Sequence, residues 1–249
     1  MLSCFKYYSL LVDGDFSVLH SLGKHERRKV LAGLSNLSKF LGCYGRFKML
    51  KELSGVSWGR VESFEVFNRI YNNNSGDVVN WVLKMKEKLP FKFYFPIVFQ
   101  ALTGVRPQEA VISLNLIVEK GLDGYFNLEL STLEHFRFPE LFLRKTKNLF
   151  ISFITPKLLD YLKNWNKQVS WDAFRCKLKR RGLGVKLQEL RSYYATLLRE
   201  HGIPKESVDL IQGRISKDVF TRFYYKPYLH QLKEKVLETI KPLEQKFLN

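Results

Sequence analysis

A chain of 249 residues, 45% of them hydrophobic, is long enough to bury one or two cores. Its 41 basic and 24 acidic residues leave a formal charge of +17, which points to a polyanionic partner, nucleic acid first. Cys4, Cys43 and Cys176 are too scattered for a zinc set or a disulfide framework and fit a reduced cytosol; no apolar run approaches a membrane span, and the N-terminus lacks an export pattern.

The first seventy residues read as helices. Asp15 caps a short helix running to Gly23. From Lys24 to Leu41, the residues Val30, Leu31, Leu34, Leu37, Phe40 and Leu41 recur at helical spacing, with Arg27, Arg28, Lys29 and Lys39 on the opposite face. A third helix over Gly59–Tyr71 is expected to bury Val61, Phe64, Phe67 and Ile70. The run from Asn72 to Gly76 breaks it and marks a domain boundary, giving domains 1–74 and 75–249.

Beyond the break, Asp77 caps a helix to Leu89, and Pro90 opens another that ends near Gly104. Three strand candidates follow: Tyr125–Leu130, Glu140–Arg144 and Leu149–Ile154. Lys145 to Asn148 form a tight turn between the last two. From Pro156 the chain is helical again, with starts near Asp172, Lys186, Pro204, Ser216 and Pro227. The expected fold is mainly α with a small antiparallel β-sheet. It comprises a helical N-terminal domain and a larger mixed domain.

Arg106 sits just beyond the helix ending at Gly104, and Glu109 is close enough to orient its guanidinium. Arg191 lies in the first turn of a later helix; Arg214 and the pair Tyr224–Tyr225 come after it. Guanidiniums suit the non-bridging oxygens of a phosphodiester, because they stay charged and donate bidentately. A tyrosine can attack the phosphorus and hold the cut strand covalently. No clustered carboxylates are available for a metal, and none of His20, His25, His135, His201 and His230 falls at a catalytic position.

These segments resemble the tyrosine recombinase (phage-type integrase) family over residues 77 to 230. The first family box reads T-G-L-R-x-x-E, matched by Thr103–Glu109. The second, H-x-L-R-H-x-x-A-T, is matched by Gln188–Thr196 with two departures, and the third, L-G-H, by Gln212-Gly213-Arg214. The nucleophile box T-x-x-Y fits Thr221–Tyr224. The replacements at Gln188 and Arg214 look like the archaeal virus and plasmid branch.

The resemblance implies Arg106, Arg191 and Arg214 on the phosphate and Tyr224 as nucleophile. Tyr225 is the competitor, one step round the same helix and about 100° away. It also implies a lysine on the hairpin turn as general acid, matched by Lys145 with Lys147 in reserve. Gln188 can donate a hydrogen bond to phosphate but cannot move a proton. The N-terminal domain corresponds to the core-binding domain in position and size.

The expected activity is site-specific DNA recombination through a 3′-phosphotyrosyl link, without cofactor, metal or ATP. The expected partner is double-stranded DNA, bound by a homotetramer in the cytoplasm and nucleoid. Alternatives are a type IB topoisomerase and a non-catalytic DNA-binding derivative. The basic runs Lys24–Lys29 and Arg175–Arg181 are expected to clamp DNA, or to be solvated helix faces. The amphipathic stretch from Pro227 to Leu248 is expected to dock on a neighbouring protomer, or to pack within its own chain.

Overall fold

A computed structural model describes residues 6–59, 62–71, 76–145, 147–182, 187–216 and 218–249. The chain divides into two compact units, Met1–Asn73 and Asn74–Asn249. Among the described residues, no helix is long and apolar enough to cross a membrane.

The first unit is helical: α1 (Ser9–Asp13), a 3-10 turn (Ser17–Ser21), α2 (Lys24–Phe40), α3 (Tyr44–Leu53) and α4 (Ser63–Tyr71). Asp15 accepts the Ser17 backbone N–H at 2.7 Å and its hydroxyl at 2.8 Å, so it caps a 3-10 turn rather than an α-helix. Helix α2 buries Val30, Leu31 and Leu34 against Phe16, Leu19 and Phe47, but Phe40 and Leu41 lie exposed at its end. Helix α3 has no counterpart in the expected elements. Arg46, within it, donates to the carbonyls of Leu11 and Val12 and so ties down the end of α1.

The expectation for α4 is corrected. Phe64, Phe67 and Ile70 are exposed, and Val61 lies outside the described residues. Phe64 stacks on Phe67 and Phe67 on Tyr71, with centroids 6.4 and 5.5 Å apart, so the apolar face packs along its own helix. Residues 72–75 of the expected break also lie outside the described residues.

In the second unit, α5 (Gly76–Lys88) and α7 (Pro107–Lys120) pack on α6 (Phe91–Thr103). Every residue of α6 from Tyr94 onward is buried, which makes it the central rod of the core. The sheet is β1 (Phe126–Asn127), β2 (Thr132–Glu134) and β3 (Ile151–Phe153), all antiparallel, in that order. Phe126 pairs with Leu133, and Thr132 with Phe153.

Two strand expectations are corrected. Alternation from Tyr125 stops at Asn127, whose side-chain oxygen accepts the Leu130 N–H at 3.0 Å and turns the chain. That turn feeds β2, a central strand that the expected elements lack. Glu140–Arg144 is instead mostly α8 (Pro139–Phe142), because Pro139 at its first position presets helical φ. Only the Leu143–Asn148 bridge remains, closing the lysine turn; Thr146 within it lies outside the described residues.

The chain then forms α9 (Pro156–Lys163), α10 (Trp171–Arg180), α11 (Leu187–Glu200), α12 (Lys205–Ile211), a π-turn (Phe220–Tyr224) and α13 (Leu229–Leu248). The expected start at Lys186 lies outside the described residues.

Of the two expectations for the last helix, packing within its own chain is the one this structure displays. Leu232, Val236, Ile240, Leu243 and Phe247 are buried in the chain's own core. Glu244 accepts hydrogen bonds from the Thr155 hydroxyl and from the Leu158 N–H, so α13 also caps α9.

Candidate active site

Gly104 ends α6 with φ +68°, and its missing side chain leaves room for a neighbour. A Cβ there would lie 2.2 Å from the Tyr194 ring of α11. The chain then extends through Arg106 and enters α7 at Pro107. Glu109, in the first turn of α7, accepts the Arg106 backbone N–H at 2.9 Å and its guanidinium at 2.6 Å. Glu109 thus supplies one half of a capping box, its carboxylate taking the N-cap N–H while also aiming an arginine. Glu109 is fully buried, and a second guanidinium, Arg144, reaches the same oxygen at 3.2 Å.

Arg191 is one turn into α11 and only 7% exposed. Its guanidinium donates to the Gly104 carbonyl at 2.8 Å and to the Gln212 carbonyl. Burial, with the nearby charges of Arg106 and Arg214, lowers its pKa to about 10 against the opposing pull of Glu109 and Asp209. It still carries its charge at neutral pH. That repulsion marks three guanidiniums as electrostatic neighbours. An incoming phosphate would relieve it.

The turn before β3 is joined to this cluster through one main-chain atom. The Asn148 carbonyl accepts from Arg106 at 3.1 Å. A Cβ on Gly213, where φ is +65°, would sit 1.8 Å from the same oxygen. Arg214 follows, exposed, its backbone N–H held by the Asp209 carbonyl at 2.7 Å.

A cleft of about 300 Å³ opens beside Arg106. Arg144, Lys147, Trp171, Arg175 and Gln188 line it, with no acidic side chain among its lining. Lys147 and Gln188 are thus gathered with Arg106. Lys145 is exposed on the same turn and is not part of this lining.

The two tyrosines are adjacent, Tyr224 the last residue of the π-turn and Tyr225 just beyond it, and the Tyr225 N–H closes the turn on the Phe220 carbonyl at 2.9 Å. Asp218 accepts the Thr221 N–H at 2.8 Å and fixes the turn's start. Tyr224 is 69% exposed. Tyr225 is half-buried, with its hydroxyl hydrogen-bonded to Ser207 and its ring 6.0 Å from Phe220.

Residues 82–238 match the family described as archaeal phage integrase.

The chain belongs to this family.

Comparisons with curated proteins and with solved structures find no match. Membership in the archaeal phage integrases makes this a DNA integrase and recombinase. The integrase's other marked residues fall into place around the site. His135 is a core residue, bonded to the Tyr125 hydroxyl at 2.7 Å and to the Ser152 hydroxyl at 2.8 Å. His201 bonds the Leu197 carbonyl at a helix end. Among the described residues, no group of His, Cys, Asp or Glu is clustered to hold a metal ion. The basic run of α10 is a solvent face: Phe174 and Leu178 are buried while Lys179, Arg180 and Arg181 are exposed.

Residue patterns missed three members of the site. The Asn148 carbonyl leaves no trace in a sequence, since every residue has one. Arg144 stands beside two lysines that draw attention first. Trp171 opens a helix and reads as packing.

Proposed function

We propose that this integrase is the site-specific recombinase of an archaeal mobile element, cutting and rejoining duplex DNA through a 3′-phosphotyrosyl bond on Tyr224. The observation that carries this reading is that main-chain carbonyls tie three of the boxes together: Arg191 donates to Gly104 and Gln212, Arg106 donates to Asn148, and Gly213, next to Arg214, packs on that same Asn148 oxygen. Such a cluster neutralises a phosphate that becomes pentavalent under attack.

The Tyr224 phenol loses its proton to solvent, and its oxygen bonds to phosphorus as the bond to the 5′-oxygen breaks. A turn lysine gives that oxygen its proton. Lys147 is favoured over Lys145 because it lines the cleft with Arg106. Gln188, in the same lining, donates to a non-bridging oxygen and takes no part in proton transfer. Tyr224 is favoured over Tyr225 because its side chain is exposed, whereas the Tyr225 hydroxyl is engaged by Ser207. The N-terminal unit supplies a second DNA-contacting surface. The working assembly is a homotetramer on DNA, and contacts other than the buried stripe of α13 join its protomers.

The test is a suicide DNA substrate carrying the recombination site. Wild type and Tyr225→Phe should trap covalent protein–DNA adduct; Tyr224→Phe should not. Adduct from Tyr224→Phe with none from Tyr225→Phe would transfer the role to Tyr225. Relaxation of supercoils without joining of paired sites would make the enzyme a topoisomerase.

A further inference from the structure

Among the described residues, Glu109 is the only carboxylate bonded to Arg106, yet it also holds Arg144. One buried negative charge cannot neutralise two guanidiniums. Arg144 is the outer of the two, with 42% of its side chain exposed against 23% for Arg106. Its backbone N–H donates to the Asn148 side chain at 2.9 Å, which anchors the residue at the base of the lysine turn. Its side chain lines the cleft together with Trp171 and Arg175. Of these neighbours Arg175 is paired with its own Asp172 at 3.4 Å, whereas Arg144 shares its carboxylate with Arg106.

We propose that Arg144 binds the DNA phosphate adjacent to the one being cut, with Glu109 setting the spacing between it and Arg106. Arg144 is a positioning residue. It holds the strand so that the neighbouring phosphate enters the arginine cluster in register. Trp171 forms the apolar wall against which that nucleotide's sugar rests. The shared carboxylate makes the two phosphate contacts one rigid unit, since neither guanidinium can swing without losing Glu109.

The proposal rests on the reading that this cleft receives DNA, but its test reads binding and not cleavage. A 30-base-pair duplex of arbitrary sequence is titrated at several salt concentrations, with tryptophan emission and anisotropy both recorded. DNA should change emission in wild type, and by clearly less in Trp171→Phe. Arg144→Gln should weaken binding about tenfold and lower the slope of log affinity against log salt by about one. Arg144→Lys should restore the slope, because it restores the charge, while regaining only part of the affinity. Unchanged affinity and slope in Arg144→Gln would overturn the proposal. So would tight binding that leaves Trp171 emission unaltered. The adduct assay on Tyr224→Phe is independent of every one of these outcomes, so failure of the nucleophile assignment would be seen separately.

Discussion

Arg191 and Gln212 hold each other twice. The guanidinium donates to the Gln212 main-chain carbonyl, and the Gln212 side-chain amide donates to the Arg191 carbonyl at 2.8 Å. This fixes the most buried arginine of the site to the loop that carries Gly213 and Arg214. Gln212→Ala should destabilise the integrase by about 1–2 kcal/mol. It should also slow DNA cleavage at least tenfold while duplex affinity stays near wild type. Thermal melting and single-turnover cleavage check this; an unchanged rate would mean that Arg191 holds its position without the amide.

Gly213 has a neighbour that no side chain can displace. Gly213→Ala combines left-handed backbone strain, about 1–2 kcal/mol, with a clash against the Asn148 carbonyl. Gly202→Ala carries similar strain, at φ +76°, but has nothing within 4 Å. The first variant should therefore lose stability clearly beyond the second, and should also lose activity, because Arg106 shares that carbonyl. Equal melting temperatures for the two would remove the packing argument.

The pH dependence of stability should carry a signature of His135. Burial pushes its pKa down to about 3, from the usual 6.5. The folded state therefore keeps the ring neutral where the unfolded chain would protonate it. Its contribution is fully present above pH 6.5 and is lost as pH falls below that value, by about 1.4 kcal/mol per pH unit. Wild type should lose stability between pH 6.5 and 5, before most carboxylates titrate. His135→Gln should give a flatter profile over that window, measured by denaturant unfolding.

The lysine turn can be resolved by the leaving group. Lys147→Ala should slow cleavage of ordinary DNA about a hundredfold or more. A substrate with sulfur in place of the 5′-bridging oxygen needs no proton on departure and should restore most of the rate. Lys145→Ala should change neither substrate by more than a few-fold. Rescue of Lys145→Ala instead would assign the acid to Lys145.

Much of this site was legible because its chemistry is written in side chains. Arg106, Glu109, Arg191 and Arg214 stand in ordered boxes, and the helix end at Gly104 follows local backbone rules, whereas helix α7 after it has no counterpart in the expected elements. What the sequence concealed lies in tertiary placement. The apolar face of α4 has the right period for burial, but period cannot say whether anything covers it. Strand β2 is three residues long, and its register depends on the Asn127 turn and on β3, about twenty residues onward. Whether the amphipathic α13 packs on its own chain or on another is likewise settled only by the shape of the receiving core.

The hydroxyl of Tyr94, in the central helix, donates to the carbonyl of Phe247 at 2.9 Å, 153 residues further along the chain. Leu243, Phe247 and Leu248 share one core with α6. During synthesis, then, the core around α6 is completed only after the α13 segment has been made. A partly made chain has all three guanidiniums but not the scaffold that aims them. The aim of the cluster is thus a property of contacts that span most of the unit, not of the boxes in which its arginines stand.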